Sequence, residues 1–112
     1  MHMIEAIVKP SSIDAVKSKL AQIGILGMTA LECKGFGKQK GHTERYRGGR
    51  MDVGFVPKVT LKVAVKSDDL DKALEAVTTA ARTGNVGDGK LFVTELTKVV
   101  RIRTGEADND AL

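Results

Sequence analysis

Lys58-Val59-Thr60-Leu61-Lys62-Val63-Ala64-Val65 alternates without a break. Val59, Leu61, Val63 and Val65 fall on one side, and Lys58, Thr60, Lys62 and Ala64 on the other. A side-chain period of two is that of a strand with one covered face. Directly after it, Ser67, Asp68 and Asp69 bring a hydroxyl and two carboxylates to where a helix start has unpaired N–H groups and a positive dipole end. Leu70, Ala73, Leu74, Val77 and Ala81 then recur at helical spacing, and Gly84 ends the segment. This strand–helix pair is the unit from which the fold is read.

The same unit stands at the N-terminus. Met3 to Val8 reads as a strand closed by Pro10, and Ser11 opens a helix with Asp14 at the capping-box spacing. Ile13, Val16, Leu20 and Ile23 form its apolar stripe, with Gly24 as its cap. Thr29, Leu31 and Cys33 alternate with Ala30, Glu32 and Lys34, giving a second strand in which Cys33 is a small core residue rather than a reactive thiol. A glycine-rich turn over 83–90 follows the second helix. A strand at Leu91 to Val93 and an extended piece from Val99 to Arg103 complete the chain. The fold class is α+β: a ferredoxin-like βαββαβ sandwich with both helices on one face of an antiparallel sheet. Its other face would carry Glu5, Glu32, Lys58, Thr60, Lys62, Arg101 and Arg103.

With 112 residues the chain is one domain, 1–112. A hydrophobic fraction of 42% and a charged fraction of 29% belong to a folded protein rather than a disordered one. No apolar run approaches the roughly 18 residues of a membrane span. The start lacks a basic n-region and a long apolar run, and the one cysteine cannot form an intrachain disulfide. A cytoplasmic location is expected. The tail 104–112 is acidic and without periodicity, and is expected to be loose.

Between the second and third strands runs a loop over 38–56, in the stretch that opens with Gly35-Phe36-Gly37-Lys38-Gln39-Lys40-Gly41-His42-Thr43 and runs on to Pro57-Lys58. Loops longer than about 12–15 residues in compact domains are usually functional or disordered. This one holds Lys38, Lys40, Arg45, Arg47 and Arg50 against only Glu44 and Asp52, so an anionic partner is expected.

Gly35-Phe36-Gly37-Lys38 and Gly87-Asp88-Gly89-Lys90 each combine glycines, which let a backbone N–H approach a phosphate, with a lysine charge. Neither has Walker or Rossmann spacing. Alternation would set the Arg101 and Arg103 guanidiniums on one sheet face, suited to bidentate anion binding. His2 and His42 stand near no nucleophile and no metal-ligand spacing. No catalytic residues are assigned, and the chain is not expected to be an enzyme.

Gly35 to Glu44, Tyr46-Arg47-Gly48, Pro57-Lys58-Val59, Thr83-Gly84, Gly87 to Val93 and Arg101 to Glu106 together resemble the PII signal-transduction proteins of the GlnB/GlnK type. The resemblance covers nearly the whole chain, including Glu5 to Pro10. It implies a homotrimer with nucleotide sites in the clefts between subunits, and a role in nitrogen regulation by sensing ATP, ADP and 2-oxoglutarate. Thr29 and Ala64 would lie near the adenine, and Gly37, Lys38 and Gln39 at the loop base. Gly87, Asp88, Gly89 and Lys90 would cradle the phosphates, with Arg101 and Arg103 beside them. With Mg-ATP bound, Gln39 would coordinate Mg2+ and, with Lys58, bind 2-oxoglutarate. Tyr46, Arg47, Gly48 and Arg50 would contact a partner, foremost an ammonium transporter reached from its cytoplasmic side; no nucleic acid is expected, and the membrane would be approached only through that partner.

Departures from the family pattern carry information too. Met51 replaces a tyrosine that many members have nucleotidylated, and Gly49 a serine that others have phosphorylated. Arg50, Lys62 and Lys38 stand where an acid, a glutamate and an arginine are usual. A switch moved by ligands alone is the expectation. A regulator of another transporter or enzyme fits the same residues. An RNA-binding ferredoxin-like module would need aromatics on the polar face of its central strands, which this sequence lacks.

Overall fold

The computed structural model describes residues 1–37 and 54–112. Four strands, β1 (His2–Val8), β2 (Thr29–Gly35), β3 (Val56–Val65) and β4 (Lys90–Glu95), alternate with helices α1 (Ile13–Gln22) and α2 (Leu70–Ala81) as βαββαβ. The sheet is antiparallel throughout, in the order β2-β3-β1-β4. This is the expected ferredoxin-like arrangement.

Alternation along the central strands decides the core. Ile4, Ala6 and Val8 of β1 and Val59, Leu61, Val63 and Val65 of β3 are buried with Val16 and Leu20 of α1 and Ala73, Ala76, Val77 and Ala81 of α2. The α2 stripe thus gains Ala76, while Leu70 and Leu74 pack at its border. At the end of α1, Gly24 has φ +86. The Ile25 N–H reaches the Leu20 carbonyl at 2.9 Å and the Gly24 N–H the Ala21 carbonyl at 3.0 Å, a Schellman closure that explains the glycine.

Neither helix begins as its sequence suggests. Tight 3-10 turns, Pro10–Ser12 and Ser67–Asp69, precede both, and among the described residues no side chain caps either start. Backbone bonds from Ser12 to Lys9 and from Asp69 to Lys66 close these turns. The Ser67 hydroxyl accepts a bond from the N-terminal ammonium at 2.8 Å instead. Nor does Gly84 cap α2: Arg82 is already extended, and Gly84 belongs to the turn that follows.

Register corrects two further expectations. Glu32 pairs with Val59, which places it on the helix side of the sheet. Cys33 pairs with Lys58 and so lies on the opposite side, outside the helix-side core, with its Sγ 3.3 Å from the Thr60 hydroxyl. Residues 101–105 are not extended, because Gly105 N–H bonds to the Arg101 carbonyl at 2.8 Å and closes a turn. Arg101 and Arg103 therefore owe nothing to strand alternation. The tail folds back on itself through a Val100–Ala107 bridge and a 3-10 turn at Asp108–Ala111, and is not loose.

Candidate functional site

The far side of the sheet, away from the helices, carries Glu5 and Ile7 of β1, Thr29, Leu31 and Cys33 of β2, Lys58, Thr60, Lys62 and Ala64 of β3, and Lys90 and Phe92 of β4. Its two ends bring different residues together.

At one end, Thr29, Lys62, Ala64 and Arg101 line a cleft of about 670 Å³ that is also bordered by Gly27 and Leu26. Three of the expected nucleotide residues, Thr29, Ala64 and Arg101, thus meet. Arg103 does not border this cleft and lies two residues on, in the exposed turn. Arg101 is steered by its own segment: its guanidinium donates to Glu106 Oε1, which also accepts the Thr104 hydroxyl at 2.9 Å. Arginine has five N–H donors, so most remain for an anion.

At the other end, Lys58 is buried although charged. Its stem runs under Gly35, where a Cβ would lie 3.0 Å from Lys58 Cγ. Its Nζ donates to the Gly87 carbonyl at 2.8 Å. Burial, and then the neighbouring Lys9 ammonium, pushes the Lys58 amine below the usual lysine pKa, while Asp88 and Cys33 act the other way. An amine that keeps two more donors while partly withdrawn from water is suited to a carboxylate.

Beside Lys58 the glycine turn is tightly shaped. Gly87 and Gly89 both have φ +106, and a Cβ on Gly89 would stand 1.9 Å from the Ile7 carbonyl oxygen. Only glycine fits that contact. Asp88 accepts the N–H groups of Thr83 at 2.7 Å and of Gly84 at 2.8 Å, together with the Thr83 hydroxyl, and pairs with Lys9 Nζ at 3.3 Å. Those bonds from Thr83 hold its carboxyl well below the usual carboxylate range. Among the described residues, the N–H groups of Gly87 and Gly89 have no hydrogen-bond acceptor. Such a pair of unclaimed donors is what a phosphate oxygen seeks.

A family model described as nitrogen regulatory protein P-II matches residues 1–106. The chain belongs to the P-II family. Nitrogen regulatory protein GlnK of Escherichia coli (strain K12) is 52% identical over 112 residues, with 100% of both chains covered. Nitrogen regulatory protein P-II of Azospirillum brasilense is 53% identical over the same span, again covering 100% of each, and that of Rhizobium etli 50%. P-II proteins are nitrogen regulatory signal transducers rather than enzymes, and act through other proteins. Among the described residues no helix is long and apolar enough to cross a membrane.

Of the residues singled out by sequence, Gly37 is described, and among the described residues nothing lies within 4 Å of where its Cβ would stand. Lys38, Gln39, Tyr46, Arg47, Gly48 and Arg50, with the nucleotide, metal and partner roles expected of them, lie outside the described residues. Sequence reasoning gave Lys9, Thr83, Thr104 and Glu106 no site role, although each stands in a segment that carries the family resemblance. The five-residue spacing of Thr83 and Asp88 across a glycine turn was a signal for their pairing.

Proposed function

We propose that this P-II chain senses ATP or ADP and 2-oxoglutarate and passes the result to a partner, foremost an ammonium transporter, through the loop over 38–56. One observation carries the reading. Thr29, Ala64 and Arg101 stand at one end of β3, and Lys58 with the Gly87–Lys90 turn at the other. Lys58 and Ala64 are six residues apart, about 20 Å along a strand. Two half-sites so separated favour a nucleotide held between copies of the chain, as a homotrimer would provide. The adenine then sits by Thr29 and Ala64 of one copy and the phosphates by Gly87, Gly89 and Lys90 of the next, with Arg101 reaching them.

Lys58 supplies a partly buried cation for a dicarboxylate, and Mg2+ would be held by the nucleotide and Gln39. Ligand-dependent partner binding is a population shift, so the effector must bind one loop state better than the other. Titration calorimetry with ATP, then with 2-oxoglutarate in saturating Mg-ATP, tests the sensor. A heat of binding is expected in both, and a flat second trace would remove 2-oxoglutarate from the account. Light scattering on the purified chain is expected to give three times the chain mass. Pull-downs from membranes with ADP, against Mg-ATP plus 2-oxoglutarate, test the partner.

A further inference from the structure

The turn over 83–89 is held from within before any ligand arrives. Asp88 Oδ2 takes the Thr83 and Gly84 N–H groups, and Oδ1 takes the Thr83 hydroxyl and faces Lys9 Nζ. The Thr83 hydroxyl also accepts the Asn85 N–H at 3.2 Å. A carboxylate so surrounded has little acceptor capacity left to turn outward. Its negative charge, which would otherwise repel an anion at the neighbouring N–H groups, is offset by Lys9 and by the donors folded over it.

We propose that Thr83 and Lys9, acting through Asp88, are positioning residues for anion binding at this turn, and that Asp88 itself contacts neither phosphate nor metal. The clasp fixes the chain on both sides of Gly87, so its N–H and that of Gly89 face the ligand with their orientation already set. A turn ordered in advance binds more tightly because less freedom is lost on binding. The inference rests on reading this turn as the phosphate site.

ADP binding to the full-length protein, measured by calorimetry, tests it. Thr83→Val and Asp88→Asn are each expected to weaken ADP by about tenfold, and the double variant by no more than either alone, since both break one clasp. Thr83→Ser, which keeps the hydroxyl, is expected to bind as the parent does. The losses should be equal with Mg2+ and with EDTA, because Asp88 is not a metal ligand. Full ADP affinity in Thr83→Val, or losses that add in the double variant, would overturn the clasp. An Asp88→Asn loss seen only with Mg2+ would overturn it as well. If Thr83→Val does not fold, Lys9→Met carries the test: a loss of about threefold supports the clasp and an unchanged affinity overturns it. Lys90→Met separates the two levels. If it also leaves ADP binding untouched, the phosphate reading of the turn falls rather than the clasp.

Discussion

Lys58 Nζ and the Gly87 carbonyl oxygen are 2.8 Å apart, so a residue of β3 holds the glycine turn that precedes β4. Lys58 thus has a structural task besides any effector it binds. Lys58→Met is expected to weaken ATP as well as 2-oxoglutarate, since Gly87 loses its anchor. Its unfolding free energy should change by about 1 kcal/mol through that lost bond. Calorimetry with each ligand and urea unfolding measure both. An ATP affinity equal to the parent's would show that the anchor does not matter to the turn.

Glycine is required for different reasons at 84 and 89. Gly84 has φ +91 and nothing within 4 Å of a would-be Cβ, whereas Gly89 combines φ +106 with the Ile7 carbonyl oxygen at 1.9 Å. Gly84→Ala should cost about 1–2 kcal/mol, the left-handed penalty alone. Gly89→Ala should cost clearly more, because the turn must also lift away from β1. Thermal and urea unfolding of the two variants side by side give the comparison.

Acid should find Asp88 before it finds the core. Its folded pKa lies below the unfolded value near 4, so the unfolded chain binds the proton first as pH falls. The stabilisation it brings is therefore complete above about pH 5 and is lost progressively below about pH 4. The gap in Tm between the parent and Asp88→Asn is expected to be constant from pH 7 to 5 and to shrink toward pH 3. A gap independent of pH would mean that the carboxylate charge contributes nothing.

Inside the sandwich, Leu61 is fully buried at the middle of β3. Leu61→Ala should cost about 2–5 kcal/mol, chiefly through the cavity it leaves. Lys62 is its neighbour on the other side and lines the cleft with Thr29 and Ala64. Lys62→Glu should leave the Tm nearly unchanged and alter nucleotide affinity instead. Chemical denaturation and calorimetry on the pair separate core from site.

Strand and helix placement was legible in the chain because periodicity and burial have one cause: Val59, Leu61, Val63 and Val65 alternate in sequence and are all buried on the helix side, although Lys58 and Thr60 of the other side are buried too. What escaped was local geometry fixed by distant partners. Ser67 looks like a helix cap, yet its hydroxyl meets the N-terminal ammonium. Arg101 and Arg103 look like strand residues, yet Glu106 and Gly105 draw the chain into a turn. At the candidate site, the glycines and Lys58 could be read as anion-binding residue types. That Lys9 and Thr83 converge on Asp88 could not, because Lys9 comes from the far end of the chain.

The strand order carries a consequence for how the molecule comes into being. β1 and β2 are not neighbours: β3 lies between them, and among the described strands β4 pairs with β1 alone. A nascent chain ending at β2 has no sheet to form, and β1 must wait for partners about half the chain away or further. Such long-range pairing makes folding slower than that of a helical bundle of similar length. The first half emerges from the ribosome as a segment whose apolar residues stay uncovered until β3 follows.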